Sequence, residues 1–383
     1  MAIERLFKLM QEKRASDMFL AVNSPIHIKI DGELVPINDQ KMDVSGIRSL
    51  LAEVVERDDM TKLELENELN IGIPAAGVGR FRLSAFCQRG TLSAVFRYIP
   101  HEIPALKTLS LPDILSELIT SKHGLILVAG ATGSGKSTTI ASMLDRRNEL
   151  QTGHILTLED PIEYLFRSKK SIVNQREIGA DTENLEIALK NALRQAPDCI
   201  LIGEIRDKET MSAAISYAQS GHLVLATLHA NNSYNALNRI ISFYPLETRQ
   251  ALLQDLSTTI RAVICQRLMR STKGGRIPAV EVMRNSQYIA ELIEKGEIDA
   301  IREAVEKSLS PGSQTFEQAL IKMIREGKVT QEEAMQHADS ITNLMWQLNN
   351  SAAPIDRTRQ PDAAPISQQP KDGPSFAEFQ MKI

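Results

Sequence analysis

Residues 17–35, DMFLAVNSPIHIKIDGELV, alternate apolar and polar positions and break at Asn-Ser-Pro and Asp-Gly, which predicts short β-strands joined by turns. An acidic stretch over 45–68 has helical character, and GRFRLSAFCQRGTLSAVFRYI (79–99) returns to strands. At the amino terminus, MAIERLFKLMQEKR places Leu6, Leu9 and Met10 at helical spacing, a stripe expected to pack into a core. These patterns predict a small α+β domain over 1–100. Pro100, Pro104 and Pro112 then punctuate a connector, assigned to 101–112, that can continue neither a strand nor a helix.

From 113 to 275 the pattern changes. LILVA (125–129), CILI (199–202) and LVLAT (223–227) are apolar without alternation, and helical segments separate them. Leu185, Ala188, Leu189, Ala192 and Leu193 share one helical face, as do Met211, Ala214, Ile215 and Ala218 before Gly221. Strands apolar on both sides and separated by helices imply an α/β fold, with a parallel sheet covered on both faces. The segment 276–347 is expected to be helical, with Phe316, Ala319, Leu320, Met323 and Ile324 as a stripe that ends at Gly327. After Leu348 apolar residues nearly vanish until SFAEFQMKI, and prolines accumulate, so 348–383 is expected to be a disordered tail. Its last apolar residues, Phe376, Phe379 and Ile383, suit either a docking peptide or a frayed end.

Composition narrows the classes. The 383 residues carry a net charge of −4, which argues against a general nucleic-acid binder. Cys87, Cys199 and Cys265 are scattered with no CxxC pair, against zinc or a disulfide framework. No apolar run approaches the roughly 20 residues of a membrane span, and no cleavable signal opens the chain. A cytoplasmic protein is expected, with any membrane association made through partners.

The chemistry sits in four short motifs. GATGSGKS (130–137), between a strand and a helix, is a complete Walker A phosphate loop. Its backbone, from Gly130, Ala131, Thr132, Gly133, Ser134 and Gly135 on to Thr138, should cradle phosphates. Lys136 should bridge the β- and γ-phosphates of ATP, and the Ser137 hydroxyl should ligate Mg²⁺. CILIGEIRD (199–207) resembles a Walker B strand, yet Gly203 stands where a first acid is usual, followed by Glu204. LTLEDPIEYLF (156–166) offers Glu163 as the displaced carboxylate, to orient the attacking water while Glu204 organises the metal. Read from spacing alone, the same acids also suit a solvated loop. GHLVLATLHANNS (221–233) holds His222 and His229, each either a γ-phosphate sensor or a hydrogen-bonded structural residue. Arg80, Arg82 and Arg97 are either a surface charge face or a phosphate clamp at a boundary between domains or subunits.

Taken in order, GATGSGKSTT, ILTLEDPIEY, CILIGEIRD and GHLVLATLHANNS resemble the Walker A, Asp box, Walker B and His box of the secretion-superfamily hexameric ATPases. SDMFL, GRFRLSAF, AVFRYIP and LRQAPD extend the likeness to the PilT/PilU retraction motors of type IV pili. The resemblance covers about 15–270 closely and reaches more loosely to about 347. It implies a RecA-like P-loop core behind a PAS-like amino-terminal domain, assembled as a homohexamer. Carried over, Glu163 becomes the catalytic base and Glu204 the acid beside Mg²⁺. His222 and His229 match the His box, and Arg80, Arg82 and Arg97 match the first-domain arginines. Export and extension ATPases usually carry paired CxxC motifs, which are missing here. The stretch YIAELIEK (288–295) has Ala290, Glu291 and Glu294 where the PilT branch has an AIRNLIRE-like helix, so the likeness leans to the PilU branch. Implied partners are a PilT-like paralogous ATPase and a PilC-like platform protein, met at the cytoplasmic face of the inner membrane. Three roles follow from the resemblance: a retraction motor, an accessory ring coupling PilT to the machine, or an extension or secretion ATPase, which the missing CxxC pairs and the acidic charge balance disfavour.

Overall fold

The first sheet gathers six strands: β1 (Asp17–Leu20), β2 (Pro25–Ile30), β3 (Glu33–Lys41), β4 (Glu68–Ala75), β5 (Gly79–Gln88) and β6 (Thr91–Ile99). Their order is β3-β2-β1-β6-β5-β4, and every pairing is antiparallel. The computed structural model describes residues 2–30, 32–99, 102–308 and 310–350. Pro100 and the apolar end of the tail, with Phe376, Phe379 and Ile383, lie outside the described residues.

Alternation decides which face of this sheet is buried. Along β5, Phe81, Leu83 and Ala85 turn inward, while Arg80 and Arg82 share the opposite face. Against the apolar face lies the helix Ala2–Lys13, where Phe7 stacks on Phe81 with centroids 3.8 Å apart. Its buried stripe is Ile3, Phe7 and Met10, with Leu6 and Leu9 only half-buried at its margin. The stripe is therefore rotated from the expected one, because Phe7 supplies the largest apolar surface.

The second sheet has seven strands: β7 (Gly124–Ala129), β8 (Gly153–Glu159), β9 (Ser171–Glu177), β10 (Cys199–Ile202), β11 (Leu223–Leu228), β12 (Ile260–Arg270) and β13 (Arg276–Arg284). The order is β13-β12-β7-β11-β10-β8-β9, parallel throughout except for the β12–β13 hairpin. Leu125 and Leu127 join one buried cluster while Ile126 and Val128 join another, so both faces are covered. That is why these strands read as continuous apolar runs.

The chain does not turn helical at 276. Arg276–Arg284 pairs with β12 over its whole length, and the helices begin at Gln287. Five apolar residues of RIPAVEVMR are buried, Val280 and Val282 among them, and a cluster of this kind within nine residues suits a strand better than a helix stripe. Among the described residues no helix is long and apolar enough to cross a membrane.

Candidate active site

Register brings the four motifs to one edge. Ala129 pairs with Leu228, Ile202 with Leu158 and with Ala226, all in parallel strands. The residues that follow, Gly130, His229, Gly203–Glu204 and Asp160–Glu163, therefore emerge together at the carboxyl edge, where open α/β sheets bind ligands.

The phosphate loop leaves β7 and enters the helix Lys136–Leu150. Gly133 (φ 78°) and Gly135 (φ 89°) adopt left-handed conformations that turn backbone N–H groups inward. Gly135 caps the helix without any side-chain bond, so its first N–H groups remain available to an anion. Lys136 Nζ donates to the carbonyls of Gly130 and Ala131 at 2.8 and 3.0 Å. Burial holds the Lys136 ammonium below the ordinary lysine value, against the opposing pull of Glu204 and Glu163.

Ser137, Glu163 and Glu204 line one cleft, together with Glu159, Asp160, Tyr164, Gly203 and Thr227. Glu204 is held at both oxygens: His229 Nε2 lies 3.1 Å from Oε1, and Arg206 Nε donates to Oε2 at 2.6 Å. Glu163 is exposed on a loop whose neighbours are fixed. The Tyr164 and Thr138 hydroxyls are hydrogen-bonded at 2.8 Å, tying that loop to the first turn after the phosphate loop. Glu159 sits deeper and accepts from Thr157 Oγ1 and Gln175 Nε2; burial pushes its carboxyl up.

Two sets of expected residues stand elsewhere. His222 precedes β11, at the edge opposite the phosphate loop, and its Nδ1 is 3.1 Å from the Tyr217 carbonyl. Six residues of strand, roughly 20 Å, separate it from His229, so it is not part of this protomer's site. Sequence adjacency within one motif concealed that the strand runs from one edge to the other. The arginines are on the first sheet, and none lines the cleft. Arg82 and Arg97 are cross-strand neighbours. Arg97 Nε donates to Asp17 Oδ1 at 2.8 Å, and Arg80 Nη2 to Glu177 Oε2 at 2.7 Å.

Other residues of the site lie outside the roles read from the motifs. Gln266, buried on β12, donates to the Ser134 carbonyl at 2.8 Å and accepts from Thr139 Oγ1 at 2.7 Å. Arg206 was hidden inside a motif read for its acid. A polar residue within an apolar strand, as Gln266 is in VICQRLM, was the one available clue.

A family model described as type II/IV secretion system protein matches residues 2–336. The chain belongs to that family. Within the type II/IV secretion family, the type IV pilus ATPase PilU of Pseudomonas aeruginosa is 43% identical over 345 residues, 90% of each chain. The same organism's type IV pilus retraction ATPase PilT is 36% identical, over 88% of this chain and 98% of its own. Among solved structures, the pilus retraction motor PilT with bound ADP matches with a TM-score of 0.84 and 39% identity. That match covers 90% of this chain and 99% of PilT. The Legionella pneumophila ATPase DotB matches at 0.76 and 27%, over 88% and 94%. The two-sheet architecture is thus shared with ATPases of this secretion family, and the fold is the α/β, RecA-like one.

Proposed function

We propose that this chain is an ATP-hydrolysing motor of type IV pilus retraction and twitching motility, yielding ADP and phosphate in the cleft below the phosphate loop. One observation carries the reading: Ser137, Glu163 and Glu204 line the same cleft at the carboxyl edge of the sheet. The similarity to the PilU and PilT ATPases supports it along almost the whole chain.

In this mechanism the loop amides from Gly130 to Thr138 bind the phosphates, and Lys136 moves from its own loop carbonyls to the β- and γ-oxygens. Ser137 and Glu204 offer hard oxygen donors. Among the described residues no cluster of three or more His, Cys, Asp or Glu forms a closed metal cage. That donor set fits Mg²⁺, which takes one or two protein oxygens and completes its shell with phosphate and water. When bound, Mg²⁺ neutralises charge developing on the phosphate oxygens. Glu163 orients the attacking water and accepts its proton. His229 holds Glu204 on the metal side, and Arg82 and Arg97 meet phosphate or a neighbouring subunit on assembly.

The working form is a homohexamer, placed at the cytoplasmic face of the inner membrane by a platform protein and acting beside a PilT-like ATPase. Glu163→Gln should lower kcat by two orders of magnitude or more with nucleotide still bound, and Lys136→Ala should lose binding itself. Full turnover in Glu163→Gln would remove the assignment of the base.

A second reading, an accessory ring coupling a PilT-like motor to the machine, is favoured by the helix Gln287–Lys295. Ile289, Leu292 and Ile293 are buried there, while Glu291 and Glu294 face solvent. Twitching that survives Glu204→Ala but is lost on deletion of the chain would select the accessory role.

A further inference from the structure

Glu177 ends β9 and is almost fully buried. Its Oε2 accepts from two distant parts of the chain: Arg80 Nη2 of the first sheet at 2.7 Å and the Ile162 backbone N–H at 3.3 Å. Ile162 directly precedes Glu163. Two residues back on the same strand, Gln175 donates to the Tyr164 carbonyl and accepts from the Phe166 N–H, both at 2.8 Å. Two β9 side chains thus hold the backbone of 162–166 at three points, and one of them is shared with the first sheet.

We infer that Glu177 is a positioning residue through which the first sheet, by way of Arg80, sets the place of Glu163. The inference rests on the reading of Glu163 as the water-orienting carboxylate. The physical reason is the cost of a buried charge. A carboxylate kept from water needs a cation or several donors, and removing one partner leaves it uncompensated. Without Arg80, Glu177 must turn toward solvent to find a replacement partner. That turn weakens its bond to the Ile162 N–H and frees the loop beside Glu163. Movement of the first sheet relative to the second therefore acts on the hydrolytic residue through a single carboxylate oxygen.

Gly72 supports this independently. It lies on β4, in register with Arg82, and a Cβ built there would stand 2.7 Å from Arg80 Nε and 2.8 Å from its Cζ. The strand is bare at a position over which the Arg80 guanidinium lies while bonded to Glu177. Glycine in a strand interior is otherwise unfavourable, and close approach of another group is the usual reason for it.

The deciding measurement is hydrogen exchange over residues 161–166 in the full chain, beside kcat and KM for ATP. Arg80→Ala, Glu177→Gln and Gly72→Ala should each quicken exchange in that segment. Each should also lower kcat by roughly 10- to 100-fold, as small misplacements of catalytic groups do, with KM little changed. Arg80→Lys should regain part of the loss, and adding Gly72→Ala to Arg80→Ala should cost nothing more. Gly72→Ala removes no polar group, so it keeps the test open should Glu177→Gln fail to fold. Unchanged exchange over 161–166, or additive effects of Gly72→Ala and Arg80→Ala, would overturn the inference. Faster exchange with wild-type kcat would uphold the positional link and remove the role given to Glu163.

Discussion

Gly203 is crowded against Leu158: a Cβ built there would stand 3.1 Å from the Leu158 carbonyl oxygen and 3.3 Å from the Glu159 Cα. Gly203 N–H also donates to that carbonyl at 2.8 Å, and the Thr227 hydroxyl donates to the Gly203 carbonyl. β8 and β10 approach so closely that an acid at this position would force the Leu158–Glu159 backbone to give way by a few tenths of an ångström. Glu163, from the loop after β8, lines the same cleft instead. Gly203→Asp should therefore lower activity rather than add to it, and should destabilise the fold by about 1–3 kcal/mol, as overpacking does. ATP turnover and the urea midpoint of the variant check both parts.

Gln266 stitches β12 to the phosphate loop through Ser134 and Thr139. Replacing it with leucine leaves a buried carbonyl and a buried hydroxyl without partners, at about 1–3 kcal/mol for each unsatisfied group. Gln266→Leu should lower the denaturation midpoint and raise KM for ATP more than it lowers kcat. Titration with a fluorescent ADP analogue would show the weakened loop directly.

His229 and His222 separate the two ends of β11. His229→Ala should lower kcat by about tenfold, a loss of about 1.4 kcal/mol of transition-state stabilisation. His222→Ala, at the far edge, should leave kcat unchanged. Equal losses in both variants would contradict the placement of His222 outside the site.

Glu281, on β13, is buried, and its carboxyl is pushed up to about 7 from an ordinary value near 4.5. Burial is the main cause and Asp339 adds to it; the Ser233 N–H, donating at 2.6 Å, and Arg267 oppose it. Between pH 4.5 and 7 the unfolded chain loses this proton while the folded chain keeps it. Stability therefore falls as pH rises through that window and levels off above it, by roughly 3 kcal/mol in all. Glu281→Gln keeps an acceptor for Ser233 and has no proton to lose. Its midpoint relative to the wild type should rise from pH 5 to pH 8, as urea denaturation at both pH values would show.

Much of this was legible along the chain. The apolar runs of β7, β10 and β11 match the expected strands because a strand covered on both faces must be apolar throughout. The phosphate loop is local, since its conformation follows from glycine spacing between a strand and a helix. β9 and β13 were missed for opposite reasons. β9 is an edge strand whose polar residues serve its neighbours: Asn174 bonds His154 of β8, while Gln175 and Glu177 hold the loop after β8. β13 carries a compact apolar segment, and periodicity alone does not separate that from a helix.

The sequence by itself determined that this is a P-loop protein with an α/β core, and which acids were available to it, because those properties depend on residue type and short-range spacing. The tertiary structure decided which of those residues meet. Parallel register gathers Ser137, Glu163, Glu204 and His229 at one sheet edge and carries His222 to the other. Contact between the two sheets joins Arg80 to Glu177 across 97 positions of chain. Contacts of that kind are set by strand order and by the direction in which each strand runs, and neither is written in any single motif.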